Sequence, residues 1–192
     1  MSDFYEIAHT LLNERVLTIN GDEHTLAEIE IYLNSSEDPD PYVHKHPDQL
    51  TQGNFYFHKA SRKKDSKFKG GTFKGVDLTF GNKDTYCGIL IRSIISSNGT
   101  LITGPCKVVD YILQCYEVQS IADLVSESKL LSFLGNKYNL VLEECSNKEN
   151  TLYSGPRVGL GDKDPYWRDM PLRFSLINKG IKLCTQLQVA SA

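Results

Sequence analysis

The sequence predicts an α+β protein on three observations: apolar residues recur at helical spacing at the start and middle of the chain, strand-like alternation and hairpin turns lie between them, and no regular strand–helix–strand repeat joins them. Taken in order, residues 3–12 put Phe4, Ile7, Ala8, Leu11 and Leu12 on one helical stripe, with Ser2 or Asp3 as its cap. Arg15 to Ile19 alternates, Asn20-Gly21-Asp22 supplies a turn, and Thr25 to Tyr32 alternates again, so a hairpin feeds a long strand. Residues 34–48, rich in Pro, Asp and Ser, read as a loop. Strands are expected at 53–58, 75–80 and 86–95, the last nearly continuous in apolar character as a buried central strand is. Gly104-Pro105 opens a helix whose buried stripe is Val108, Val109, Ile112, Leu113 and Tyr116. Shorter helices are expected at 120–123 and 128–133. Residues 153–176, punctuated by Gly155-Pro156, Gly159, Gly161, Asp164-Pro165 and Pro171, read as short strands, with Trp167 a core anchor.

Length and composition exclude several classes. At 192 residues, 40% hydrophobic and 23% charged, the chain suits one folded domain over residues 1–192 and is neither disordered nor collagen-like. No run of about 18 apolar residues crosses a membrane, and residues 1–15 lack the basic and apolar regions of a signal peptide. Cysteines 87, 106, 115, 145 and 184 form no CxxC pair and leave one over, which fits reduced thiols inside a cell, cytoplasmic or, in a eukaryote, nuclear. The net charge of −3 conceals a basic block at residues 59–74, with seven Lys or Arg against Asp65 alone. It reads either as a solvated loop or as a phosphate-contacting surface, the latter seconded by flanking Phe55, Tyr56, Phe57, Phe68, Phe73 and Phe80.

Three patterns bear chemistry. Glu28, Glu30 and Tyr32 alternate with Ile29 and Ile31, so two carboxyls and a phenol share one strand face. Alternation admits both a solvated face and a rigidly aimed general base. His44, His46 and His58, with Asp40 or Asp77, supply donors of the types that ligate zinc, or else are satisfied or exposed histidines. Residues 70–75 hold glycines and Lys74 but lack the GxxxxGK[ST] spacing and run into a strand, which excludes a nucleoside-triphosphate loop. No GxSxG or GxGxxG fingerprint occurs.

Four separated segments then converge. Ile7 to Asn34, a helix leading to a strand with Glu30-Ile31-Tyr32-Leu33, resembles the opening of the alkyladenine (3-methyladenine) DNA glycosylases. Tyr86 to Ile94 (YCGILIRSI) resembles that family's apolar strand ending in Leu-Arg, and Gly104 to Leu113 its Gly-Pro-x-Lys helix. Pro156 to Phe174 is similar to its closing Arg-Val-Gly, Trp and Pro-Leu-Arg-Phe elements. Together they span 66 of the 192 residues in the family's order.

The resemblance implies a monomeric single domain with a curved mixed or antiparallel sheet flanked by helices. It implies a hydrolase of base excision repair that binds damaged duplex DNA, flips a damaged or modified base and cleaves its N-glycosidic bond. Position by position, Glu30 matches the water-activating carboxylate, Tyr32 an aromatic that stacks on the extruded base, His44 a contact to that base or its sugar-phosphate, and Arg92 an arginine holding the catalytic water. Attack at C1′ passes through an oxocarbenium-like state that a fixed carboxylate stabilises, and neither metal nor cofactor is needed. The pattern departs from the family at Asp77, which falls where a second stacking tyrosine belongs, at Phe80, which takes the wedge position, and at the inserted residues 59–69 after His58. Asp77 favours a cationic or hydrogen-bonding ligand, and Lys63, Lys64 and Lys69 are candidate phosphate contacts. Two alternatives stand beside DNA base excision: a small nucleoside or other glycoside cleaved with Glu30, Asp77 and His58, and a non-catalytic nucleic-acid binder.

Overall fold

The chain's elements follow from its turns. Asn20 and Gly21 both adopt positive φ (52° and 92°), the conformation of the tight turns that match the twist of paired strands. They join strand β1 (Arg15–Ile19) to the long β2 (Asp22–Asn34), after helix α1 (Ser2–Asn13). The computed structural model describes residues 2–125, 131–178, 180 and 182–183. Beyond β2 come a 3₁₀ turn at Pro47–Leu50, β3 (Gln52–Phe57), β4 (Val76–Phe80), β5 (Tyr86–Ile95) and β6 (Leu101–Thr103). Helices α2 (Pro105–Cys115) and α3 (Ile121–Leu124) follow, then β7 (Leu131–Ser132), β8 (Val141–Glu144), β9 (Tyr153–Gly155), α4 (Pro165–Asp169), β10 (Arg173–Ser175) and β11 (Lys182–Leu183).

The described strands form a sheet in the order β11-β9-β10-β2-β5-β4-β3-β7, with β1 branching from β2 and carrying β8 on its other edge, and β6 branching from β5. Every pairing between these strands is antiparallel. The result is one α+β domain whose mostly antiparallel sheet curls into a nearly closed barrel. Register shifts between Leu26 and Ile29 bend β2, as a bulge does, and increase the local twist.

The apolar face of this sheet is the core. Ile29, Ile31, Phe55, Val76, Leu78, Ile89, Ile91 and Phe174 are buried against Ala8, Leu11 and Leu12 of α1 and Val108, Val109, Ile112 and Leu113 of α2. Burying such aliphatic side chains stabilises a fold by about 1.5–3 kcal/mol each relative to exposure, which holds both helices on the sheet. Trp167 is buried as expected, within α4, where Asp164 caps the helix through Tyr166 N–H (3.0 Å).

Two expectations need correction, and one open reading is decided. The helix expected at 128–133 is not formed at its end, where Leu131 and Ser132 pair with β3; residues 128–130 lie outside the described residues. Leu131 and Phe133 are buried with half-buried Ser132 between them, a period of two rather than of 3.6. The tail adds the short helix α4 to its strands. The face of Glu28 and Glu30 is not solvated: both are buried, under residues from the loop after β2 and the segment between β9 and β10. Cys87, Cys106, Cys115 and Cys145 are free thiols, whereas Cys184 lies outside the described residues. Among the described residues, no helix is long and apolar enough to cross a membrane.

Candidate functional site

A polar layer covers the second face of the sheet. Register aligns Tyr56, Asp77, Leu90, Glu30 and Arg173 across β3, β4, β5, β2 and β10, and directly opposed residues of antiparallel strands project to one face. Glu28 and Tyr32 flank Glu30 on β2, and Arg92 follows Leu90 on β5, so sheet geometry alone gathers four ionisable groups around one carboxyl.

Glu30 is fully buried (0% exposed). Tyr32 donates its hydroxyl to Oε2 (2.9 Å), Val158 N–H donates to Oε1 (2.7 Å), and Arg92 Nη1 lies 3.4 Å from Oε1. Burial pushes the carboxyl above its ordinary range, against the opposing pull of Arg92, the Val158 N–H, Tyr32 and Arg157. Burial and the neighbouring Glu30 likewise push the Tyr32 phenol up, so it remains a donor. Glu28 accepts from Ser93 Oγ (2.9 Å) and lies within 3.6 Å of both Arg92 Nε and Arg173 Nη1. Arg157, itself buried, pairs with Asp40 (2.5 Å), donates to the carbonyls of Ile31 (3.1 Å) and Trp167 (2.9 Å), and sits 4.5 Å from the Tyr32 ring centroid. That guanidinium therefore ties the loop after β2 to the segment around α4 and fixes the Tyr32 ring.

Beside this layer lies a cavity of about 290 Å³, at the small end of ligand sites. Tyr32, His44, His58, Gln49, Asp77 and Leu90 line it together with Tyr42, Leu160 and the cationic Arg62, Lys69 and Lys163, of which Arg62 and Lys163 are exposed. Asp77 Oδ1 accepts from His58 Nε2 (2.6 Å) and Oδ2 from Gln49 Nε2 (3.1 Å). A Cβ at Gly88 would stand 2.5 Å from Asp77 Oδ2 and 2.7 Å from Gln49 Nε2. Gly88→Ala is thus expected to cost about 1–3 kcal/mol in chemical denaturation, the range for overpacking; an unchanged midpoint would show that the Gln49–Asp77 pair relaxes freely.

His44 Nδ1 is 2.6 Å from the Tyr56 hydroxyl. Burial, then the positive charges of Lys69, His58 and His46, lower its pKa to about 4. The unfolded chain takes up this proton near the ordinary value of about 6.5, so His44 penalises folding increasingly as pH falls from there to about 4. NMR titration should place its midpoint near 4. A midpoint at an ordinary histidine value would mean a solvated, unconstrained ring.

The sequence-derived candidates separate. Tyr32, His44, His58, Asp77 and Lys69 line the cavity together. Glu30 and Arg92 stand behind its wall, next to Tyr32 and Leu90. Phe80 does not join them: it shares the apolar face with Val76 and Leu78, with its ring 5.4 Å from Phe133, because its register is two residues from Leu78 and not from Asp77. Lys63 and Lys64 are exposed and do not line the cavity. The basic insertion folds back on itself through Ala60 N–H to Lys67 O (2.8 Å) and Lys69 N–H to His58 O (2.8 Å), which brings Arg62 and Lys69 to the cavity. The three histidines do not converge as ligands. His46 Nδ1 accepts from Asp48 N–H (3.2 Å) and Nε2 lies 3.2 Å from the Lys63 carbonyl, while Asp40 is held by Arg157. Among the described residues, no group of three or more His, Cys, Asp or Glu is arranged to hold a metal ion. Sequence reasoning missed Gln49, Arg157 and Lys163, and reached Tyr56 and Arg62 only as parts of the aromatic flank and the basic block, although Tyr56 alternates with His58.

No family model matches the chain. It is 41% identical over 194 aligned residues to Uncharacterized protein L759 of Acanthamoeba polyphaga mimivirus, an alignment covering 93% of this chain and 88% of that protein.

Proposed function

The chain belongs to the family of that mimivirus protein, and for the buried carboxyl and the adjoining cavity we propose hydrolysis of the N-glycosidic bond of a damaged or modified base in DNA. The observation that carries this reading is Glu30: a fully buried carboxyl with a raised pKa, oriented by Tyr32, Val158 and Arg92 and one side chain away from an aromatic-lined cavity. Such a carboxyl suits the orientation of water and the stabilisation of an oxocarbenium-like state. Arg92 Nη1, 3.4 Å from Glu30 Oε1, stands beside the carboxyl as a donor for that water. The base stacks on Tyr32, whose ring Arg157 holds, and His44 contacts it as a neutral imidazole at physiological pH. Arg62, Lys69 and Lys163 meet the phosphates.

A second reading keeps the pocket and replaces DNA by a free nucleoside; the small cavity, sized for a single base, favours it. One experiment separates the two. The protein is incubated with duplexes that each carry one alkylated or deaminated purine, free base and alkali-labile abasic sites are measured, and binding is titrated against salt. The DNA reading expects release from at least one duplex and affinity that falls steeply with salt, since each neutralised phosphate releases counterions. Release from nucleosides alone, with little salt dependence, would replace it with the second reading.

A further inference from the structure

We propose that Asp77 selects the occupant of this cavity, a purine nucleotide presenting two adjacent N–H donors on one edge, as guanine does, with its phosphate at the cationic rim. This deepens the proposed function by naming the base class; it rests on the assignment of the cavity to a base, not on bond cleavage. Glu28, Glu30 and Asp40 each lie within ion-pair distance of an arginine. Among the described residues, Asp77 has no such guanidinium: its ion-pair partner is His58 and its second oxygen is held by Gln49. An ionised carboxylate offers about four acceptor sites. His58 and Gln49 fill one on each oxygen, which leaves acceptor capacity on a carboxylate that lines the cavity.

The carboxylate is also fixed in aim. Gly88 leaves room for Gln49 and Asp77, and the His58 ring lies so close over Gly75 that a Cβ there would be 2.8 Å from its Nδ1. Two acceptors at fixed spacing complement two parallel N–H donors, the geometry that makes carboxylate recognition bidentate. Guanine presents N1–H and its exocyclic amine side by side. Hypoxanthine lacks the amine, and adenine places an acceptor beside its amine, where it would face the carboxylate. At the rim, Arg62, Lys69 and Lys163 supply the opposite charge. A deep acid with cationic residues around it suits a ligand with donors at one end and an anion at the other.

Calorimetric titration of the whole protein with deoxyguanosine, deoxyinosine and deoxyadenosine 5′-monophosphates tests this. The guanine nucleotide should bind about tenfold or more tighter than the hypoxanthine one, the effect of one hydrogen bond to a charged acceptor, and the adenine one should bind weakest. Asp77→Asn should remove the guanine-over-hypoxanthine preference, with circular dichroism and melting confirming its fold. Lys69→Ala should weaken all three by a common factor and preserve their ratio. Equal affinities in the wild type, or no binding of any of the three, would overturn the assignment. Guanine preference without base release would sink hydrolysis and leave this inference standing; base release without guanine preference would do the reverse.

Discussion

Glu30→Gln lowers base release under single-turnover conditions by about 10²- to 10⁴-fold, the contribution of a positioned general base. The amide keeps the shape of the side chain and a carbonyl that still accepts from Val158 N–H or Tyr32 Oη, the donors that orient the native group at 2.7 and 2.9 Å. What disappears is the ionisable oxygen that takes a proton from water and faces developing positive charge. Glu30 stands behind the cavity wall rather than in it, so affinity for damaged duplex, measured by fluorescence anisotropy, should stay within about threefold, well under the tenfold that 1.4 kcal/mol would produce. Loss of binding in parallel with loss of release would assign Glu30 to holding the pocket together.

The largest effect on stability is expected at Arg157. Arg157→Met retains much of the aliphatic stem and removes the guanidinium, leaving Asp40 (0% exposed) as a buried carboxyl without its cation. Breaking a buried pair in this way costs about 3–5 kcal/mol, and for a chain of this size a fall of roughly 6–20 °C in Tm. The carbonyls of Ile31 and Trp167 lose their donors as well, and the Tyr32 ring loses the cation beneath it. Calorimetric melting of Arg157→Met, Asp40→Asn and the double variant separates these contributions. The double variant should recover a large part of the loss, because it removes the stranded charge. Simple additivity of the two losses would show that the pair contributes nothing by its pairing.

Local pattern carried most of the sheet. The apolar run of β5 coincides with its expected bounds, and Asn20-Gly21 marked the β1–β2 hairpin because so few residues tolerate two successive positive φ values. Strands β6 and β8 were not legible, since three or four residues carry too little periodicity and each is held by a partner elsewhere in the chain. Leu131 to Phe133 spans too few residues to distinguish a period of two from a helical stripe without its partner β3. At the site, alternation placed Glu28, Glu30 and Tyr32 on one face. It could not show that the face is buried, because the residue that neutralises Asp40 and covers Tyr32, Arg157, lies more than a hundred positions downstream. Phe80 lies apart from the cavity for a related reason: an aromatic residue suits either sheet face, and only register assigns it to the side of Leu78.

The pH dependence of single-turnover base release, wild type beside Glu30→Gln, is the sharpest test of Glu30 as the base. The group works ionised and its pKa is raised by burial, so wild-type release should fall as pH drops through a midpoint above the ordinary carboxyl range. The residual rate of the glutamine variant should lack that acid limb. The same limb in both proteins, or a variant as fast as the wild type across the range, would contradict the assignment of Glu30.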